Sequence, residues 1–124
     1  MKKIDYKNHQ RFDKQLKKLT RKYPSLQEDL DGVKRFAIEL FHINKIDNDS
    51  VKLIPGFDQE DVKIYKIKKF ACKSLKGRGA RSGIRMTYAF YPKSFEVEFL
   101  EIYFKEKSDS DMDRGFVEGY LNER

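Results

Sequence analysis

Arg85 lies in the run Ile84–Tyr91, whose alternation predicts a strand with Ile84, Met86, Tyr88 and Phe90 on one face. Its guanidinium would therefore project from the opposite face. A permanently charged fork that grips two oxygens at once suits the dianionic transition state of phosphodiester cleavage. The alternative role is a structural pair with Glu101 on a neighbouring strand. Lys66 and Lys68 are two residues apart in the run Val62–Phe70 and share one face of a second predicted strand. Two ammonium groups so placed lower each other's affinity for protons. That either readies one as a base for a ribose 2′-OH or leaves both as plain phosphate attractors. Glu101 and Tyr103 share a face of a third predicted strand, Val97–Phe104. A carboxylate in so apolar a strand needs a partner, so Glu101 is either a buried salt-bridged group or a general base. Tyr103 can stack on a base or donate a proton. Lys105 and Lys107 stand at that strand's exit, where a lysine stabilises a leaving oxygen but donates protons poorly at neutral pH.

These residues sit in an uneven field. The net charge is +7, yet residues 1–62 balance at +2 and residues 96–124 at −5. Between them, residues 63–95 carry ten basic side chains and no Asp or Glu. Such a one-sign stretch attracts a polyanion, nucleic acid or an acidic protein segment, and repels itself without one. Lys63, Lys69, Lys73, Lys76, Arg78 and Arg81, with Lys107, are the candidate RNA contacts. The glycines of Lys76-Gly77-Arg78-Gly79-Ala80-Arg81-Ser82-Gly83 fit neither a Walker loop nor a dinucleotide fingerprint, and read as a hairpin loop tracking a phosphate backbone. One cysteine, Cys72, excludes an intrachain disulfide and fits a reducing compartment. With only His9 and His42 beside it, an ordinary zinc site is not expected, and neither a metal nor a cofactor is called for. No apolar run approaches the ~20 residues that span a bilayer, and no secretory signal is visible, so a cytoplasmic location is expected.

The elements that must position this chemistry follow from the pattern. Lys3–Lys7 reads as a first strand and Asn8 as the N-cap of a helix through Phe12, Leu16, Leu19 and Tyr23, stopped by Pro24. Ser25-Leu26-Gln27-Glu28 has the form of a capping box. Leu26, Leu30, Val33, Ala37, Leu40 and Phe41 continue an apolar face to about Asn44. Residues 45–61 carry loop and turn chemistry. After the three strands, Ser108 or Asp109 offers a cap for a terminal helix through Phe116, Tyr120 and Leu121. At 124 residues, with 10 Phe and 7 Tyr, the chain reads as one domain over residues 1–124. The expected class is α+β: an N-terminal strand and an antiparallel helical hairpin packed on one face of a small, mainly antiparallel sheet, with a short C-terminal helix.

The segment from Val62 to Lys107 resembles the RelE/ParE superfamily, the toxins of bacterial type II toxin–antitoxin pairs. The resemblance rests on Tyr65-Lys66-Ile67-Lys68, then a turn, then Gly83-Ile84-Arg85-Met86-Thr87-Tyr88. An apolar strand ending in a basic residue follows, Ile102-Tyr103-Phe104-Lys105. The order of elements extends it over almost the whole chain, including the hairpin opening Phe12-Asp13-Lys14-Gln15-Leu16. The resemblance implies a RelE-like fold and a metal-independent endoribonuclease that cuts mRNA on the translating ribosome by 2′-OH attack. Arg85 would then serve the phosphorane, Lys66 and Lys68 the nucleophile, and Lys105 with Tyr103 the leaving group. It also implies an acidic, partly disordered antitoxin and a toxin–antitoxin hetero-oligomer. The alternatives are a ParE-like gyrase inhibitor that catalyses nothing, and an RNA- or ribosome-binding module whose site has decayed. The basic sheet face favours RNA. The absence of an Arg or His near Lys105, at the exit of the third strand, departs from the superfamily's pattern and leaves the general acid open.

Overall fold

The structure, a computed structural model, describes residues 3–57, 59–75, 82–105 and 112–123. The chain runs β1 (Asp5–Asn8), α1 (Gln10–Lys22), α2 (Leu26–Val33), a π-helical turn (Lys34–Glu39), α3 (Leu40–His42), β2 (Val51–Leu53), β3 (Lys63–Ile67), β4 (Ile84–Tyr91), β5 (Glu96–Phe104) and α4 (Arg114–Asn122). The strands form one sheet in the order β1-β5-β4-β3-β2. Only β1 pairs in parallel, with β5; the other ladders are antiparallel. The α+β class and the mainly antiparallel sheet agree with expectation. β2 was not foreseen, because three residues between turn-forming runs are too short to show a period.

The sheet is apolar on both faces, and helices cover both. On one face α1, α2 and the π-helical turn pack Phe12, Leu16, Leu26, Leu30 and Ile38 against Ile84, Met86, Tyr88, Val97, Phe99 and Ile102. On the other, Val117 and Leu121 of α4 cover Ile54, Phe57, Ile64, Ala89 and Leu100. The expectation of helices on one face only is thus corrected. Ala89, Ile64 and Leu100 point away from the hairpin and would be left in water without α4.

The caps also differ from the sequence reading. His9, not Asn8, caps α1, its Nδ1 accepting from the Arg11 amide at 3.0 Å, while Asn8 donates to Asp13. Asp113, not Ser108 or Asp109, caps α4 through the Phe116 amide at 3.0 Å. The Ser25–Glu28 box does not form, because the chain after β3 competes for both side chains. Ser25 Oγ accepts from the Ser74 amide and hydroxyl and donates to Asp29 at 2.7 Å, while Glu28 pairs with Lys73 at 2.6 Å.

Between α2 and α3 the helix widens into the i→i+5 turn Lys34–Glu39, and past α3 the Asn44 amide again reaches back five residues, to the Glu39 carbonyl at 3.2 Å. The extra residue rotates the inward stripe. Ala37, Ile38 and His42 are buried, whereas Leu40 and Phe41 are only half-buried. His42 enters an aromatic cluster, stacking on Phe90 with centroids 3.9 Å apart and sharing a 2.8 Å hydrogen bond with the Tyr88 hydroxyl. Burial, helped by Lys45, pushes its pKa down to about 4.

An unfolded histidine titrates near 6.5, so between these values the unfolded chain holds the extra proton. Stability should therefore fall as pH drops from about 6.5 towards 4, by up to about 3 kcal/mol from this group. Glu101, whose pKa is raised, contributes with the opposite sign. Urea melts of wild type and His42→Phe across this range isolate the histidine. The difference in slope between the two should carry the effect, and parallel curves would remove His42 from it.

Candidate functional site

The sheet face that α4 covers is only partly occupied by it. Cross-strand register divides the face into rows. Ile64 and Ala89, with Leu100, lie beneath α4. The next row is Lys52, Lys66, Thr87 and Glu101, each paired with its neighbour. Beyond it Arg85 pairs with Tyr103. Alternation along each strand places these side chains opposite the hairpin face, since Tyr65, Ile67, Met86, Ile84 and Ile102 pack into the hairpin core. The register brings Lys66, Arg85, Glu101 and Tyr103 to one face, whereas Lys68 lies past the end of β3.

A β-bulge makes this grouping possible. Thr87 pairs with Glu101 and Tyr88 with Phe99, so Leu100 is the extra residue of β5. Without it Glu101 would point into the hairpin core. Past Phe99 strand β1 has ended, and α1 replaces it: Gln15 Oε1 accepts from the Ile102 amide at 2.9 Å. At the far end, Gly83 holds a φ of +89°, and a Cβ there would meet the Phe104 ring at 3.1 Å. Its carbonyl accepts from the Lys105 amide at 2.7 Å, and the buried Ser82 hydroxyl accepts from the Ile84 amide at 3.1 Å. These contacts fix the strand ends that carry Arg85 and Lys105.

Glu101 is 2% exposed, and its partner is not Arg85. Arg11 of α1 reaches it at 3.3 Å and Asp113 at 3.1 Å, with its guanidinium 4.3 Å from the Phe116 ring centroid. The Asp113 amide lies 3.4 Å from both carboxylate oxygens. Burial raises the Glu101 pKa, against the pull of Arg11 and that amide. The Phe116 amide, with Arg11, holds Asp113 below its usual range. Glu101 thus joins β5, α1 and the start of α4, and Arg11 and Asp113 are members of this face that sequence reasoning missed. Arg11 lies among several helix-surface cations, and nothing in its spacing marks it out.

Arg85 is half-buried and donates to the Ile84 carbonyl at 3.2 Å; Lys66, Tyr103 and Lys105 are also half-buried. Lys68 follows β3, exposed, its amide bonded to the Ser50 carbonyl at 3.0 Å. Three of the candidate RNA contacts are not in this grouping. Lys63 lies on the hairpin side, lining a cleft with His42 and Tyr65. Lys69 pairs with Asp49 at 3.7 Å and Lys73 with Glu28. The basic stretch is therefore partly compensated by acids from elsewhere in the chain. Lys76, Arg78, Arg81 and Lys107 lie outside the described residues. Burial raises the pKa of Cys72, which is 3% exposed and therefore a poor nucleophile. Among the described residues no group of three or more His, Cys, Asp or Glu side chains is arranged to hold a metal ion, and no helix is long and apolar enough to cross a membrane.

Comparison with solved structures identifies the architecture. A chain of the archaeal RelE–RelB complex from Pyrococcus horikoshii OT3 matches with a TM-score of 0.50 at 17% identity, covering 85% of this chain and 98% of that one. The fold is RelE-like. The isolated E. coli RelE toxin has a TM-score of 0.48 at 20% identity, covering 97% of this chain and 98% of that one. No family model matches the sequence, and no curated protein matches it.

Arg11→Ala strands the Glu101 carboxylate in a dry site and releases the start of α4. Breaking a buried pair of this kind costs about 3 kcal/mol or somewhat less, since Arg11 is itself partly exposed. Arg11→Met combined with Glu101→Leu should recover much of that loss. Chemical denaturation of Arg11→Met, Glu101→Leu and the double variant gives the coupling directly.

Proposed function

We propose that this chain is the toxin of a type II toxin–antitoxin module and an endoribonuclease that cuts mRNA on the translating ribosome. One observation carries the reading: within a RelE-like fold, cross-strand register brings Lys66, Arg85 and Tyr103 together on the part of a sheet face that α4 leaves open. A rigid sheet presenting fixed cations is suited to a phosphodiester, whose charge grows in the transition state.

In the proposed reaction the ribose 2′-oxygen attacks the adjacent phosphorus and the 5′-oxygen leaves, giving a 2′,3′-cyclic phosphate and a 5′-OH. Lys66, with Lys68 at the strand's exit, draws the proton from the 2′-OH. Arg85 holds the equatorial oxygens as charge builds. Lys105 and Tyr103 stabilise and protonate the leaving oxygen. Glu101 takes no proton in this scheme; locked between Arg11 and Asp113, it sets where α4 begins and hence how much of the face is open. Lys68 and the flanking Lys76, Arg78, Arg81 and Lys107 supply the sequence-independent attraction for the RNA backbone. The partner is an acidic, partly disordered antitoxin that competes for this face, and the site of action is cytoplasmic. The gyrase-inhibitor alternative has no comparable use for Lys66, Arg85 and Tyr103 on adjacent rows of one face.

The test is cleavage of mRNA on programmed ribosomes, with primer extension to locate the cut and end-group analysis for the cyclic phosphate. Arg85→Ala should lower the rate by about 10²–10³. Its circular dichroism and thermal midpoint should remain those of wild type, because the side chain lies outside the apolar cores. In cells, pulse-labelling should show translation stopping before DNA synthesis; the reverse order would give the gyrase reading.

A further inference from the structure

The π-helical turn has a consequence on the outer surface. By widening the helix it swings Phe36 out of the flank of the apolar stripe, leaving the side chain 64% exposed, the most exposed large apolar residue among those described. Phe36 lines a groove of about 670 Å³ together with Gly32, Val33, Ala37 and the exposed Ala71. These small residues make a depression beside a projecting ring. At Gly32 an added Cβ would meet nothing within 4 Å, so the depression is open at that point. Knob and hole thus lie side by side on one face, the arrangement a two-fold interface requires, in which each copy offers both.

The charges along the same face agree with that geometry. Lys69 and Lys73 on the groove's far rim are already paired with Asp49 and Glu28. Asp31 and Arg35, which flank Phe36 and Gly32 on the helix, are both exposed, and neither has an ion-pair partner among the described residues. An antiparallel two-fold pairing of this helix with its own copy would place the Asp31 of one copy against the Arg35 of the other, twice. The same pairing would put each Phe36 ring over the other copy's Gly32.

We propose that the face formed by α2 and the π-helical turn is a homodimer interface, with Phe36 of each copy seated in the Gly32–Ala37–Ala71 groove of the other and reciprocal Asp31–Arg35 pairs. The proposal does not depend on the enzymatic reading, since this face is separate from the sheet face that carries Lys66, Arg85 and Tyr103.

Sedimentation velocity of the full chain over a micromolar to submillimolar series tests it. Wild type should show a reversible monomer–dimer equilibrium. Phe36→Ser should weaken association at least tenfold by removing the knob. Gly32→Leu crowds the hole from a position where an added Cβ meets nothing within 4 Å, and it removes a helix-interior glycine, so its thermal midpoint should be equal to or above wild type while association again falls at least tenfold. Arg35→Asp should weaken the dimer, and the exchange Asp31→Arg with Arg35→Asp should restore it to near the wild-type constant. A chain that remains monomeric throughout the series overturns the proposal, as does a Gly32→Leu protein that dimerises like wild type. If the chain stays monomeric and the Phe36 ring resonances shift only on adding a different protein, the groove belongs to that partner and the homodimer is excluded.

Discussion

A carboxylate buried in an apolar strand must find a cation, and most of this molecule's functional geometry follows from where Glu101 finds its own. The cation comes from α1, not from the adjacent strands, because the bulge at Leu100 turns Glu101 toward the face where the Arg11 guanidinium passes between the β1–α1 junction and α4. The same guanidinium binds Asp113, the residue that caps α4. A single charged network therefore sets the strand phase, the position of the first helix and the starting point of the last. Removing Arg11 leaves the Glu101 carboxylate charged in a site that water reaches poorly.

That network has a second effect, on Arg85. In a simpler arrangement Glu101 would neutralise the nearest strand arginine, and the face would be a closed salt bridge. With Glu101 engaged by Arg11, the Arg85 fork makes a neutral contact to the Ile84 carbonyl and keeps its charge available to an anion. The apolar part of the face is sealed by α4. Lys7 to Glu96, and a Tyr91–Tyr120–Glu98 chain of hydroxyl contacts, fasten β5 to its neighbours and to the far end of that helix. One sheet face is thereby divided between an apolar half that α4 covers and a half that carries Lys66 and Arg85, with Glu101 at the boundary.

The parts of this arrangement visible in the sequence are those governed by short-range periodicity. Ile84–Tyr91 alternates cleanly, and its limits and facing agree with the structure. The grouping of Lys66, Arg85 and Tyr103 follows from alternation plus antiparallel pairing, and needs no long-range information. What could not be read depends on competition between distant groups. Ser25 and Glu28 have the spacing of a capping box, but Ser74 and Lys73 take both side chains. The ten basic residues at 63–95 look uncompensated along the chain, yet Asp49 and Glu28 approach Lys69 and Lys73 across the fold. Arg11 carries no local mark at all; its role exists only once β5 bulges beside it.

The π-helical turn shows most plainly why a repeating pattern can mislead. Leu26, Leu30, Val33 and Ala37 keep an ordinary helical period, and extending it would bury Leu40 and Phe41. One additional residue in the turn makes Ile38 and His42 the inward positions instead. The Tyr6 hydroxyl, donating to Glu39 at 2.8 Å, holds the turn against β1, so the widening is fixed by the sheet and not by helix propensity. Burying His42 gives the Tyr88 hydroxyl a partner in a core where an unpaired phenol would be costly. The same rotation that carries His42 inward carries Phe36 outward. An exposed ring here is thus the geometric counterpart of a satisfied core, and the helix keeps it at the surface because straightening the turn would withdraw His42 from Tyr88.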